Sequence, residues 1–144
     1  MSATTTHDPA TRTLVTSVSG VLTLAEVAEW RDDLARTAGA LPPGDEFRAL
    51  IDIRGYEVAD QDRAVHQVMR EVVPTFLARH GFAVGFWRLY DATPPEPTGA
   101  ARCRAVAHVH HDGDKMDRYD ELLGTVTERF FRDRDAAEAW LASA

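Results

Sequence analysis

The sequence predicts an α/β domain, a mostly parallel sheet of 4-5 strands with about four helices. Three observations carry that expectation. Stretches with the period of a strand alternate along the chain with stretches that have the period of an amphipathic helix. The run FRALIDI at residues 47–53 is almost continuously apolar and rich in branched side chains, as a strand covered on both faces would be. Capping signatures stand in front of two of the helical stretches, where side chains can satisfy the first unbonded amides.

The elements follow in chain order. Residues 1–12 are polar, threonine-rich and aperiodic, and read as a disordered leader, leaving residues 13–144 as a single domain. Residues 13–19 alternate Leu14, Thr16 and Val18 against Thr13, Val15 and Ser17, which is a half-buried strand ended by Gly20. Thr23 and Glu26 form a capping box ahead of Leu24, Val27, Trp30, Leu34 and Ala38, the apolar stripe of a helix with Gly39 as its left-handed stop. The turn ALPPGDE leads to the strand at residues 47–53. Val65, Val68, Met69 and Val72 then make a second amphipathic helix with Asp60 as its N-cap. Pro74 should kink or end it, although Phe76 and Leu77 would carry its apolar face on toward Gly81.

Residues 82–90 form an aromatic piece, an added strand or a flap, followed by a proline-rich loop. Residues 103–110, CRAVAHVH, read as a strand with Ala105, Ala107 and Val109 on one face and Val106, His108 and His110 on the other. By the same parity Cys103 belongs to the face away from the histidines and acts as a small buried hydrophobe. After the turn HDGD, Met116, Tyr119, Leu122 and Leu123 line a short helix closed by Gly124. Residues 126–131 are a last strand, and Asp135 with Glu138 opens a final helix carrying Ala137, Trp140 and Leu141.

Composition narrows the function. The chain of 144 residues holds 16 basic and 23 acidic side chains, a formal charge of −7, which is the wrong sign for gripping a phosphate backbone. Nucleic acid is therefore not an expected partner. No apolar run approaches the roughly 18 residues of a spanning helix, so integral membrane insertion is not expected. The opening MSATTTHDPATRT lacks the basic and apolar blocks of a secretory signal, and one cysteine cannot form an internal disulfide, so the expected compartment is the cytoplasm. The chain has no G-x-S-x-G elbow, P-loop, G-x-G-x-x-G or H-E-x-x-H, and the expectation is a protein that binds and does not catalyse, without a cofactor.

Four blocks of sequence resemble the SpoIIAA-like proteins of the STAS superfamily. They are Val18-Ser19-Gly20-Val21-Leu22-Thr23 before the first helix and Leu50-Ile51-Asp52-Ile53-Arg54-Gly55-Tyr56 at the end of the central strand. The others are Ala107-His108-Val109-His110-His111-Asp112 with Lys115-Met116, and Glu128-Arg129-Phe130-Phe131 with Ala139-Trp140-Leu141. The resemblance implies a STAS/SpoIIAA-like fold, with helices largely on one side of the sheet, and protein-protein regulation. In anti-sigma-factor antagonists of this superfamily the strand ends in Asp-x-Ser-Gly with a phosphorylated serine. Here Arg54 takes that place, which removes a phosphoserine switch at that position. Similarity to carriers of apolar molecules leaves a second binding role open.

The candidate binding residues lie where ligands meet open parallel sheets, at the carboxyl ends of the strands. Asp52, Arg54 and Tyr56 mark one strand exit, while His108, His110, His111, Asp112 and Lys115 mark another. If the two exits are neighbours, Arg54 and Lys115 would fix an anionic head group of a small apolar ligand. An ion pair of Arg54 with Asp52 or Glu57 is the competing use. Phe86 and Trp87, with Phe82 and Tyr90, would wall an apolar cavity or favour a homodimer. Two of the histidine imidazoles could share a metal, with only Asp112 or Asp114 of the turn to complete the site, and the competing reading is a strand end whose histidines are hydrogen-bonded or solvated. The charges of residues 128–135 read as a solvated rim.

Overall fold

The computed structural model describes residues 2–57 and 63–144. Among these residues five strands form one sheet in the order β1-β2-β3-β4-β5, namely β1 Ser2–Asp8, β2 Thr13–Gly20, β3 Glu46–Tyr56, β4 Arg102–Val109 and β5 Glu128–Phe131. The helices are α1 Leu24–Gly39, α2 Arg63–Arg79, the single turn α3 Phe86–Leu89, α4 Gly113–Leu123 and α5 Arg134–Ser143. Strands β2 to β5 are mutually parallel, and β1 runs antiparallel to β2.

The strand order follows the chain, and crossovers between parallel strands are right-handed, so α1, α2 and α4 all fall on one face of the sheet. Helix α5 comes after the last strand and covers the opposite face. The first face holds the larger core, in which Leu14, Phe47, Ala49, Ile51 and Val106 meet Val27, Trp30 and Leu34 of α1 and Met69, Val73 and Leu77 of α2. On the α5 side Leu50, Ala105, Ala107 and Val109 pack against Ala137 and Leu141, with Phe131 and Trp140 at the edge.

Local signals explain most boundaries. Thr23 accepts from the Glu26 amide at 3.2 Å, and Glu26 returns a bond from the Thr23 amide at 3.0 Å, so α1 begins with the expected reciprocal cap. Its end differs from expectation: Gly39 is the last helical residue, and the cap is Ala40 in a right-handed conformation whose N–H bonds Ala38 and Arg36. Asp60, the expected cap of α2, lies outside the described residues. Helix α2 passes through Pro74 without ending, because Pro74 is buried beside Val73, Phe76 and Leu77 and their apolar face holds the last turns in place. Gly81, at φ 81°, then turns the chain out in the left-handed region. Residues 82–90 supply no strand, only the turn α3. Helix α5 is capped by Asp133 and not Asp135, since Glu138 is drawn to Arg134 at 2.9 Å instead of back to the helix start.

Two further corrections concern β1 and the register. Where a disordered leader is expected over residues 1–12, residues 2–12 are instead an edge strand and a turn. Threonine is β-branched and fits a pleated surface, Asp8 closes the turn by accepting from the Ala10 amide at 2.9 Å, and Thr5 meets the buried Thr16 hydroxyl at 2.9 Å. Thr16 in turn accepts the Trp30 indole N–H at 2.7 Å, tying β1, β2 and α1 together. Strands β3 and β4 each carry a bulge. Ser17 pairs with Asp52 but Ser19 with Gly55, and Phe47 pairs with Cys103 but Arg48 with Ala105. Each inserts one residue and switches the parity of everything beyond it. Cys103 therefore shares the core of Val106, on the histidine side, contrary to simple alternation. Burial pushes its thiol up to about 12, so it remains a protonated small hydrophobe. No described helix is long and apolar enough to cross a membrane.

Candidate functional site

A cavity of about 670 Å³ opens at the carboxyl edge of β3, β4 and β5, on the face that carries the larger core. Strand order never reverses in this sheet, so the cavity does not arise where helices part to opposite faces. It lies between α2 and α4, with α3 across one end: Met69, Arg70 and Val73 come from α2, Tyr119 and Leu123 from α4, and Phe86 and Leu89 from α3. Ile51, Ile53, His108 and Phe130 rise from the strands.

The lining changes character with depth. Trp30, Ile51, Met69, Val73, Val84 and Leu123 are buried, while His66, Arg70, Phe86, His110, Lys115 and Tyr119 are half-buried above them. Glu57, Leu89, Tyr90 and His111 form the exposed rim. An apolar interior with a few polar groups near the opening is the usual make-up of a small-molecule site.

Each polar group has a defined state. The His110 Nδ1 accepts the Asp112 amide at 2.9 Å, so its proton sits on Nε2. Burial, then His111 and Lys115, push its pKa down to about 4 against the pull of Asp112, and the ring is neutral at pH 7. The His111 Nδ1 donates to the Arg54 carbonyl at 3.0 Å, and the two imidazoles stack with centroids 4.3 Å apart. His66 lies parallel to Tyr56, hydrogen-bonded to its hydroxyl at 3.2 Å, and is held below its ordinary value by burial, Arg70 and Lys115.

Deeper in, the His108 Nε2 meets the buried Glu128 carboxylate at 2.8 Å, and the other Glu128 oxygen accepts from the Gly85 amide at 3.0 Å. The Arg70 guanidinium lies over the Tyr90 ring, 4.7 Å from its centroid, and its Nε is buried without a hydrogen-bond partner among the described residues. An unpaired buried donor is uncommon in native structures and costs roughly 1–3 kcal/mol.

The two strand exits expected to be neighbours are neighbours, since β3 and β4 pair in parallel up to Asp52 and Val109. Their side chains do not all converge. Tyr56, Phe86, His108, His110, His111 and Lys115 line the cavity. Asp52 and Arg54 point to the other face, where Asp52 accepts from the Arg54 Nε and NH2 at 3.0 and 2.9 Å and from Arg134 at 3.1 Å. Burial raises the Asp52 pKa, but these bonds and the Arg54 amide outweigh it and hold the carboxyl below its ordinary value. Asp112 caps α4 by accepting from the Lys115 amide at 3.1 Å. Trp87 packs edge-on to Phe86 and lines a separate depression with Phe82.

Among the described residues no group of three or more histidine, cysteine, aspartate or glutamate side chains could hold a metal ion. The three imidazoles of β4 and its end are turned to different partners.

Sequence reasoning missed His66, Arg70, Tyr119 and Glu128. His66 and Arg70 stand four apart beside the apolar stripe of α2, which is the one signal that pointed to them. Glu128, assigned to a solvated rim, is 3% exposed. No local pattern marks it, because its partners lie 20 and 43 positions away.

The comparisons agree with the architecture. Among solved structures the chain is similar to an uncharacterised protein of the DUF3478 family from Shewanella loihica PV-4, described as having a SpoIIAA-like fold. The match has a TM-score of 0.53 and 14% identity, and covers 97% of this chain and 92% of the other. No protein-family model matches the chain, and no curated protein matches it. The fold is SpoIIAA-like, a mixed α/β architecture with a sheet of five strands and five helices among the described residues.

Proposed function

We propose that this protein is a non-enzymatic binding module that holds a small apolar or amphipathic molecule in the cavity between α2 and α4. The observation that carries this reading is the cavity itself, with its buried apolar interior and half-buried polar shoulder at the carboxyl edge of a parallel sheet. Its volume of about 670 Å³ falls within the range of small-molecule sites. The role expected from the resemblance, protein-protein regulation, draws less support, because the guanidinium of Arg54, at the position of the family's serine, is committed to Asp52.

The test is binding of the neutral fluorophore Nile red, with native mass spectrometry of freshly purified protein. Wild type should bind one probe per chain. Met69→Trp, which fills the interior, should abolish binding while leaving the circular dichroism spectrum unchanged. Equal binding by a folded Met69→Trp variant would remove the cavity as the site.

A further inference from the structure

The cavity carries cations that no carboxylate of the described chain neutralises. Arg70 and Lys115 line it, and neither makes a salt bridge among the described residues, in a chain of net charge −7. Three arginines outside the cavity, Arg54, Arg129 and Arg134, by contrast each hold a carboxylate at 3.1 Å or closer. Both cavity cations act on His66, and Lys115 acts on His110 as well, so they belong to one group. The neutral rings leave that group two cations and additional N–H donors.

Resting on the cavity reading, we propose that the ligand is an amphipathic carboxylate, its apolar body inside the cavity and its carboxylate held by Arg70 and Lys115, with His110 Nε2–H as a further donor. Tyr90 holds the Arg70 guanidinium over its ring at 4.7 Å, and the planar fork of a guanidinium matches the two oxygens of a carboxylate. Lys115 adds a point charge on a flexible stem. Glu57 at the rim and Glu128 at the floor disfavour a second negative charge on the ligand, which sets a carboxylate ahead of a phosphate monoester. An amine would meet Arg70 and Lys115 as like charges.

The experiment is displacement of Nile red from the full chain by four compounds of equal tail: dodecanoate, dodecanol, dodecylamine and dodecyl phosphate. Dodecanoate should displace the probe at about one tenth of the dodecanol concentration or less, since a charge-assisted bond is worth a tenfold factor or more. Dodecyl phosphate should fall behind dodecanoate, and dodecylamine should be weakest. Arg70→Met should erase the preference for dodecanoate over dodecanol, read as the ratio of the two concentrations within the variant, and Lys115→Met should reduce that ratio.

Equal displacement by dodecanoate and dodecanol on wild type would overturn the anion seat and leave the cavity reading standing. A stronger dodecyl phosphate would overturn the carboxylate assignment. Failure of Nile red to bind would overturn both. The wild-type series decides without the variants, so a misfolded Arg70→Met cannot mask the answer.

Discussion

The two faces of the sheet solve opposite problems with the same strand. From β3, Ile51 and Ile53 go to the cavity side, while Leu50 and Asp52 go under α5. The α5 side is closed: small alanines from β4 let the helix sit close, and Asp52 holds both Arg54 and Arg134. The cavity side has its helices set apart, with imidazoles, Arg70 and Lys115 between them. The difference teaches that the larger core gives up part of its packing at one edge to leave room for a cavity, while the smaller core under α5 stays closed.

Substitutions can break or sharpen that contrast. Leu50→Ala should show the largest effect, a loss of about 3 kcal/mol, because its side chain is fully enclosed and the space it leaves cannot be refilled. Chemical denaturation measures this, and a loss no greater than that of Ile53→Ala at the cavity edge would erase the contrast. Asp52→Asn should cost about 2 kcal/mol by leaving Arg54 and Arg134 without their shared anion, while Nile red binding stays unchanged. Altered probe affinity in that variant would show the two faces to be coupled. Ile53→Ala should cost only about 1 kcal/mol, since the half-buried side chain already borders open space.

A pH dependence is the effect that vanishes at neutral pH. The folded state depresses His110 from 6.5 to about 4, so between those values the unfolded chain binds more protons than the folded one. The stability from the neutral ring is fully present above pH 6.5 and is lost as pH falls toward 4. His110→Asn should flatten the midpoint of urea unfolding over that window, and an unchanged slope would assign the acid sensitivity elsewhere.

What could be read from the sequence was local. The Thr23–Glu26 box, the α1 stripe through Trp30 and the strand centred on Leu50 all depend on neighbours within a few positions, and all stand as expected. The site was only half legible, because a one-residue bulge leaves no mark in the periodicity. The bulge near Ile53 puts Tyr56 on the cavity side while Asp52 and Arg54 remain on the other, and the one near Arg104 moves Cys103 across. Polar partners far apart in sequence, such as Glu128 with Gly85, were beyond any local pattern. Strand β1 was hidden for another reason: its threonines pair through the backbone and bury little, so they gave no hydrophobic signal.

The sequential strand order has a consequence for the making of the protein. Every connecting helix covers the front of the sheet as soon as the next strand arrives, but α5 follows all five strands in the chain. A ribosome therefore releases a sheet whose rear wall of Leu50, Ala105, Ala107 and Val109 is still bare, and adhesive, until that one helix emerges and docks.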